Sequence, residues 1–246
     1  LGKDEEIKEI QQKRIKKAAE YTAHEKEFAK MTYQDGVRAR IKDEPPLIYH
    51  PSGNEEDQIL KEAEIVHKRY LKSVPEDKQV LLSRYSMHDF AIKVVGVGSV
   101  GTLCGISLLM SATGEPIFLQ FKEARKSVLE EHVKTKAKYT HQGERIVIGQ
   151  KLMQSASDMF LGWTNDDQNR FFYIRQLRDA KVKPVLEIMK AENMNDYAKA
   201  CGWALARAHA RSGDPSLVSG YIGKGDEFAN AIAKFSLLYA DQNEAD

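Results

Sequence analysis

The residues in this chain best suited to chemistry lie between Phe90 and Ala124, a stretch that reads FAIKVVGVGSVGTLCGISLLMSATGEPIFLQFKEA. Gly96, Gly98, Ser99 and Gly101 form a G-x-G-x-x-G run, and Lys122 ends a later apolar segment. Glycines at this spacing let the backbone approach an anion without Cβ clashes while its N–H groups point at phosphate oxygens. A lysine nearby adds a compact positive charge for the same oxygens. The chemistry these types predict is recognition of nucleotide phosphates.

Two architectures use such a loop. In a dinucleotide-binding unit the loop opens a crossover helix, the next strand is parallel, and an acid about 20 residues on takes the ribose hydroxyls; Glu123 fits that acid. In the protein-kinase arrangement the loop joins two antiparallel strands, and the following strand carries the lysine; Phe118–Lys122 fits that strand. Thr102–Met110 contains Gly105 and is short for a crossover helix, and the Thr-Gly-Glu-Pro turn after it suits a hairpin. A third reading remains, a glycine loop that is only structural, because an isolated G-x-G-x-x-G is a weak signal. In the kinase arrangement the lysine needs a carboxylate from a helix packed behind the sheet, since a lone buried ammonium is costly. Glu144, near the start of a helix expected over His141–Gln154, is the candidate.

The surrounding segments set the frame. Asp4–Met31 has Ile7, Ile10, Ile15 and Ala18 at helical spacing and predicts one or two amphipathic surface helices. Thr32–Asn54, with Asp35-Gly36, Glu44-Pro45-Pro46 and Pro51-Ser52-Gly53, reads as a connector. Glu55–Ser73 is a helix by the spacing of Ile59, Ala63, Val66 and Tyr70, and a shorter helix starts at Pro75. Arg125–Lys136 has a helical tendency. Strands are expected over Asp158–Trp163 and Phe171–Leu177 around a polar turn, completing an antiparallel sheet of about five strands; alternating βα crossovers are not seen, which raises the kinase-like reading above the dinucleotide one. Helices follow over Leu186–Met194, Asp196–Ala210 and Glu227–Tyr239. His209, Arg211 and Asp214 cluster after the second of these, either as a general base with its neighbours or as residues suited to a helix end. His67 and His88 read as packing or surface residues.

Composition bounds the function classes. The chain has 246 residues, 42% hydrophobic and 30% charged, and a net charge of +1, which gives no global electrostatic case for nucleic acid or an anionic membrane. Val94–Met110, the most apolar stretch, is broken by glycines and too short for a membrane span. Cys104 and Cys201 have no metal-ligand spacing and fit buried thiols in a reducing cytoplasm. The opening Leu1, with no charged region leading into an apolar core, predicts no signal peptide and a chain that is part of something longer.

The blocks KVVGVGSVGT, LQFKEARKSVLE, HQGERIVIGQKLMQSASDMFLGW, YIRQLRD, CGWALARAHARSGD and LLYADQNEAD resemble the bacterial family known as domain of unknown function 2252, from about Arg84 to the C-terminus. Its members are grouped by resemblance with protein-kinase-like and aminoglycoside-phosphotransferase-like folds. The resemblance implies an α+β, kinase-like small lobe over 86–178, a helical segment with a proline-rich connector over 1–85, and a helical segment over 179–246. It implies ATP as the nucleotide and an unidentified phosphate acceptor. Gly96, Gly98, Ser99 and Gly101 match the loop, Lys122 the lysine on the α/β oxygens, Glu144 the carboxylate holding it, and Gln176 to Asp179, beginning with Gln176 and Leu177, the hinge. One departure stands out: Ser219 occupies the position of the metal-binding Asn after Asp214, and no D-F-G-like strand follows. The family's G-D-x-H-x-x-N-F-G and F-D-x-N-D-F-D blocks are absent from the chain, so Mg²⁺ would need carboxylates mostly from outside it.

Overall fold

The computed structural model describes residues 24–96, 100–133, 138–177 and 184–246. Most of the helices expected over Asp4–Met31, and Gly98, Ser99 and the hinge beyond Leu177, lie outside the described residues; only α1 (His24–Met31) falls within them. The chain divides into two compact units, one of Leu1–Lys151 with Ala156–Met189 and one of Leu152–Ser155 with Lys190–Asp246.

The first unit is built on a six-stranded antiparallel sheet. Its strands are β3 (Ile48–Tyr49), β4 (Tyr85–Lys93), β5 (Cys104–Ser111), β6 (Pro116–Ala124), β7 (Gly162–Asn165) and β8 (Phe171–Gln176), in the spatial order β3-β4-β5-β6-β8-β7. A separate hairpin, β1 (Thr32–Asp35) and β2 (Arg38–Ile41), turns at Gly36, whose φ of 59° suits a residue without Cβ. Two corrections follow. The sheet has six strands rather than five, and the sixth comes from Thr32–Asn54, which holds three short strands where a connector was expected. Their runs are too short and polar to show strand alternation, and only the Asp35-Gly36 turn was visible in them.

β5 explains why the sheet holds together. Cys104 to Met110 is buried throughout, because β4 and β6 flank it and both its faces are covered. On one face lies α2 (Asn54–Leu71), whose Val66 and Tyr70 join Leu109, Ile117, Leu119, Phe121 and Ile174 in one core. On the other, Ala39, Ile41 and Ile48 pack on Ala91, Ile106, Leu108 and Met110. The boundary expected at 85/86 thus runs through a shared core. α2 is bolted to β7 by polar contacts: the Tyr70 hydroxyl donates to Phe160 O at 2.6 Å, Thr164 Oγ1 to Val66 O at 3.1 Å, and Trp163 N to Ser73 Oγ at 2.8 Å. Gly162 makes this approach possible, since a Cβ there would lie 2.7 Å from the Tyr70 ring. The short helix α3 (Glu76–Leu82) adds Leu82 to the core. His67 is buried against the Tyr70 ring, and burial pushes its pKa down to about 4.

A charged cluster fastens the hairpin to the sheet. Asp89, buried at a bulge in β4, accepts from Ile41 N at 2.7 Å and meets His50 Nε2 at 3.1 Å; His50 Nδ1 meets Asp43 at 2.7 Å. Arg40 approaches Asp89 at 3.8 Å and bonds Glu56 on α2. Burial of His50 disfavours its charge, but the hydrogen bonds and charges of Asp89 and Asp43 outweigh it and raise its pKa. A raised folded pKa contributes stability that is fully present below the unfolded value of about 6.5 and is lost as pH rises through the folded value. His50 therefore adds a component of stability that is lost between about pH 6 and 9, opposed by the lowered pKa values of His67 and His141. His50→Asn is expected to remove that component, so that the difference in denaturant midpoint between wild type and variant shrinks as pH rises; a difference that does not change with pH would clear His50 of this role.

The second unit contains α5 (Ala191–Ser212), α6 (Pro215–Ile222) and α7 (Glu227–Ala245), after a single 3₁₀ turn at Leu186–Ile188. The expected helix over Leu186–Met194 is thus only that turn followed by the start of α5. α6 was not expected, although Asp214 followed by Pro215 is a start signal: Asp214 caps it, accepting from Ser216 N at 2.8 Å, with Pro in the first turn. Trp203, Leu205, Phe235 and Leu238 are each more than half exposed. Cys201 is exposed on α5, correcting the expectation of two buried thiols, while Cys104 is buried. Among the described residues, no helix is long and apolar enough to cross a membrane.

Candidate functional site

Strand alternation decides where Lys122 points. Ile117, Leu119 and Phe121 of β6 face α2, so Phe118, Gln120 and Lys122 face the other way. Lys122 pairs with Cys104, the first residue of β5, and with Tyr173 of β8. It therefore stands beside the exit of the glycine loop, half-buried, on the part of the sheet that β2 and β3 do not cover. Beside it Arg175 donates to Gln120 Oε1 at 3.3 Å, and burial, with Cys104 adding to it, raises the pKa of Tyr173 against the opposing charge of Arg175. β4, β5 and β6 run antiparallel in turn, with no crossover helix after the loop. That geometry removes the dinucleotide-unit alternative, which requires a parallel strand.

Gly96 and Gly101 are exposed, and Gly101 has φ 75°, a conformation natural to glycine. The loop exit is clamped by two residues whose roles the sequence did not reveal. Glu123 Oε2 accepts from Leu103 N at 2.7 Å, Glu123 N donates to Leu103 O at 2.8 Å, and Arg125 donates to Gly101 O. Arg125 and Glu123 pair at 2.6 Å. Burial works against the Glu123 charge, but the Arg125 bond and the Leu103 amide prevail and lower its pKa. Glu123 is thus spent on loop backbone, not held out for a ribose. Of Arg125–Lys136, expected as helix, the described part to Val133 is irregular and turn structure instead, and the rest lies outside the described residues.

The helix α4 (Gln142–Met153), with Glu144 in its first turn, starts beside the first residues of β8. The His141 ring lies 4.5 Å from that of Phe171, which shares a face with Tyr173, and Arg145 donates to Arg125 O at 3.0 Å. Burial lowers the pKa of His141, whose Nδ1 accepts from Glu144 N at 3.2 Å. Gly143 sits so close to β8 that a Cβ would be 2.2 Å from Phe172 O. Ordinarily Gly→Ala inside a helix gains about 0.5–1 kcal/mol. Gly149→Ala, with nothing within 4 Å, is expected to stabilise by that amount, whereas Gly143→Ala is expected to destabilise by about 1–3 kcal/mol through overpacking against backbone. Urea unfolding of both variants checks the opposite signs.

Gln176 and Leu177 lie on the far end of β8. Gln176 N donates to Asp158 Oδ2 at 2.6 Å, and Leu177 is buried beside Phe118. Asp158, expected to begin a strand, is instead a bracket that also accepts from Phe160 N, and β7 starts four residues later at Gly162. In the second unit Asp214 is a helix cap, Arg211 donates to Gln154 O at 2.5 Å, and His209 is exposed. Among the described residues, no group of three or more His, Cys, Asp or Glu side chains is placed to hold a metal ion.

Comparison with curated proteins and with solved structures found no match. The family comparison did, and it extends over the N-terminal segment as well as the region from Arg84: matching over residues 2–246, the chain belongs to the bacterial family described as "Uncharacterized protein conserved in bacteria (DUF2252)".

Proposed function

We propose that the first unit is a kinase-like small lobe that binds ATP, with phosphotransfer to an unidentified acceptor as its wider role. The observation that carries this reading is the register of β5 and β6, which sets Lys122 opposite Cys104 at the exit of a glycine loop joining two antiparallel strands. A phosphate-binding loop followed by a lysine on the third strand is the kinase arrangement. Gly96, Gly98, Ser99 and Gly101 cover the phosphates, Lys122 neutralises their oxygens, and Glu144 holds the lysine. Gln176 and Leu177 border the adenine end. Since the chain lacks the family's G-D-x-H-x-x-N-F-G and F-D-x-N-D-F-D blocks, it is expected to bind nucleotide and turn it over poorly.

A second reading, a helical interaction module with a structural glycine loop, draws on the exposed Trp203, Leu205 and Phe235. Calorimetric titration of the chain with ATP and with NAD separates the two. Heat with ATP alone supports the proposal, and silence with both favours the interaction module.

A further inference from the structure

A cavity of about 240 Å³ lies between α2 and the sheet, on the face opposite Lys122. Its walls are largely apolar: Ile59, Ala63 and Val66 from α2, with Phe90, Leu103 and Phe121 from the sheet. Water gains little there, because a buried water needs two to four polar partners. The walls are also held apart. The Phe90 ring is seated on Gly105, occupying the space where a Cβ would lie 2.2 Å from it, and stands edge-on to Phe121 at 5.5 Å and 80°. It therefore cannot swing inward without leaving that seat. α2 is fixed on the other side by the Tyr70 and Thr164 hydrogen bonds to backbone. Glu62, whose Oε1 accepts from Gln58 Nε2 at 3.0 Å and whose other oxygen has no partner among the described residues, is at the cavity too, as are Asp166 and Arg170, which pair at 2.6 Å. A largely apolar space with a few polar groups is the form small-molecule sites take.

We propose that this cavity binds a small bicyclic aromatic molecule carrying one hydrogen-bond donor, its rings between Ala63 and Phe121 and its donor toward Glu62. An apolar cavity of about 150 Å³ accommodates benzene, so the larger space here suits two fused rings. Leu103 and Gly105 directly follow the glycine loop, so an occupant touches the strand on which that loop ends. The site does not depend on the nucleotide reading: absence of ATP binding leaves it standing.

Indole is the probe. Titrated into the full chain and followed by two-dimensional amide NMR, it is expected to shift the signals of Ala63, Leu103 and Phe121 and to raise the melting temperature with concentration. Ala63→Leu fills the space, and Ile59→Trp narrows it from a half-buried position; each is expected to weaken indole binding by about tenfold or more, as a well-packed apolar pocket responds to a single side-chain change. Should Ala63→Leu fail to fold, Ile59→Trp gives the same reading. No shifts in the wild-type chain up to the solubility of indole would overturn the proposal, as would unchanged affinity in the folded variants.

Discussion

Lys122→Ala is expected to abolish the ATP-induced rise in melting temperature while leaving the unliganded fold intact. A ligand that binds only the native state adds about 2.7 kcal/mol at a hundredfold excess over Kd, which for a unit of this size is a rise of roughly 5–10 °C. Lys122 is the cation that the sheet register sets beside the loop exit, and the core side of β6 is made by its neighbour Phe121. Loss of Lys122 would therefore remove the charge proposed to face the phosphates while the packing against α2 stays. Thermal melts of wild type and variant, with and without ATP, measure this directly. An undiminished rise in the variant would take Lys122 out of the site, and a variant already unfolded without ATP would assign the lysine a structural part instead. Glu144→Gln is expected to reduce the rise in the same direction but less, since it disturbs only the group proposed to hold the lysine.

The largest stability change is expected at Asp89. Its carboxylate is 5% exposed, accepts from the Ile41 amide and lies between His50 and Arg40. Asp89→Ala leaves a buried amide unpaired and the His50 charge without its inner partner, and breaking a buried pair in this way costs about 3–5 kcal/mol. The Asp89 pKa is lowered despite burial by His50, the Ile41 amide and Arg40. Its contribution is thus present above the unfolded carboxylate value and lost as pH falls through the folded one. Urea unfolding at pH 6 reads the full loss. A double-mutant cycle with His50→Asn then isolates the pair: a purely additive result would show that the carboxylate works without His50, through Ile41 and Arg40.

What the sequence made legible follows from range. The antiparallel pairing of β5 with β6 was readable because it is carried by neighbours in the chain, and β4, β5, β6 and β8 announced themselves as apolar runs, whereas β7 was expected four residues too early. Glu123 and Arg125 were not readable as a clamp, because their targets, Leu103 and Gly101, are brought to them only by the β5–β6 register. His50 likewise gains meaning from Asp43 and Asp89, one of them across the sheet. Arg125–Val133 looked helical by composition, yet Arg125 is held by the loop and the end of β6, and that tertiary demand overrides a weak local propensity. The α6 start is written locally as Asp214-Pro215, a capping acid followed by a first-turn proline, the same acid that the His209–Asp214 cluster offers as a base.

The burial of β5 on both faces and both edges has a kinetic meaning. Amides in such a strand reach water only when the whole unit opens, so hydrogen exchange along Ile106–Leu109 is expected to report global unfolding, while the exposed Val100 and Gly101 just before it are expected to exchange through local opening. The same strand thus joins the slowest-exchanging part of the protein to the proposed phosphate loop. Ligand bound at that loop would be recorded as slower exchange deep in the sheet, far from any atom it touches.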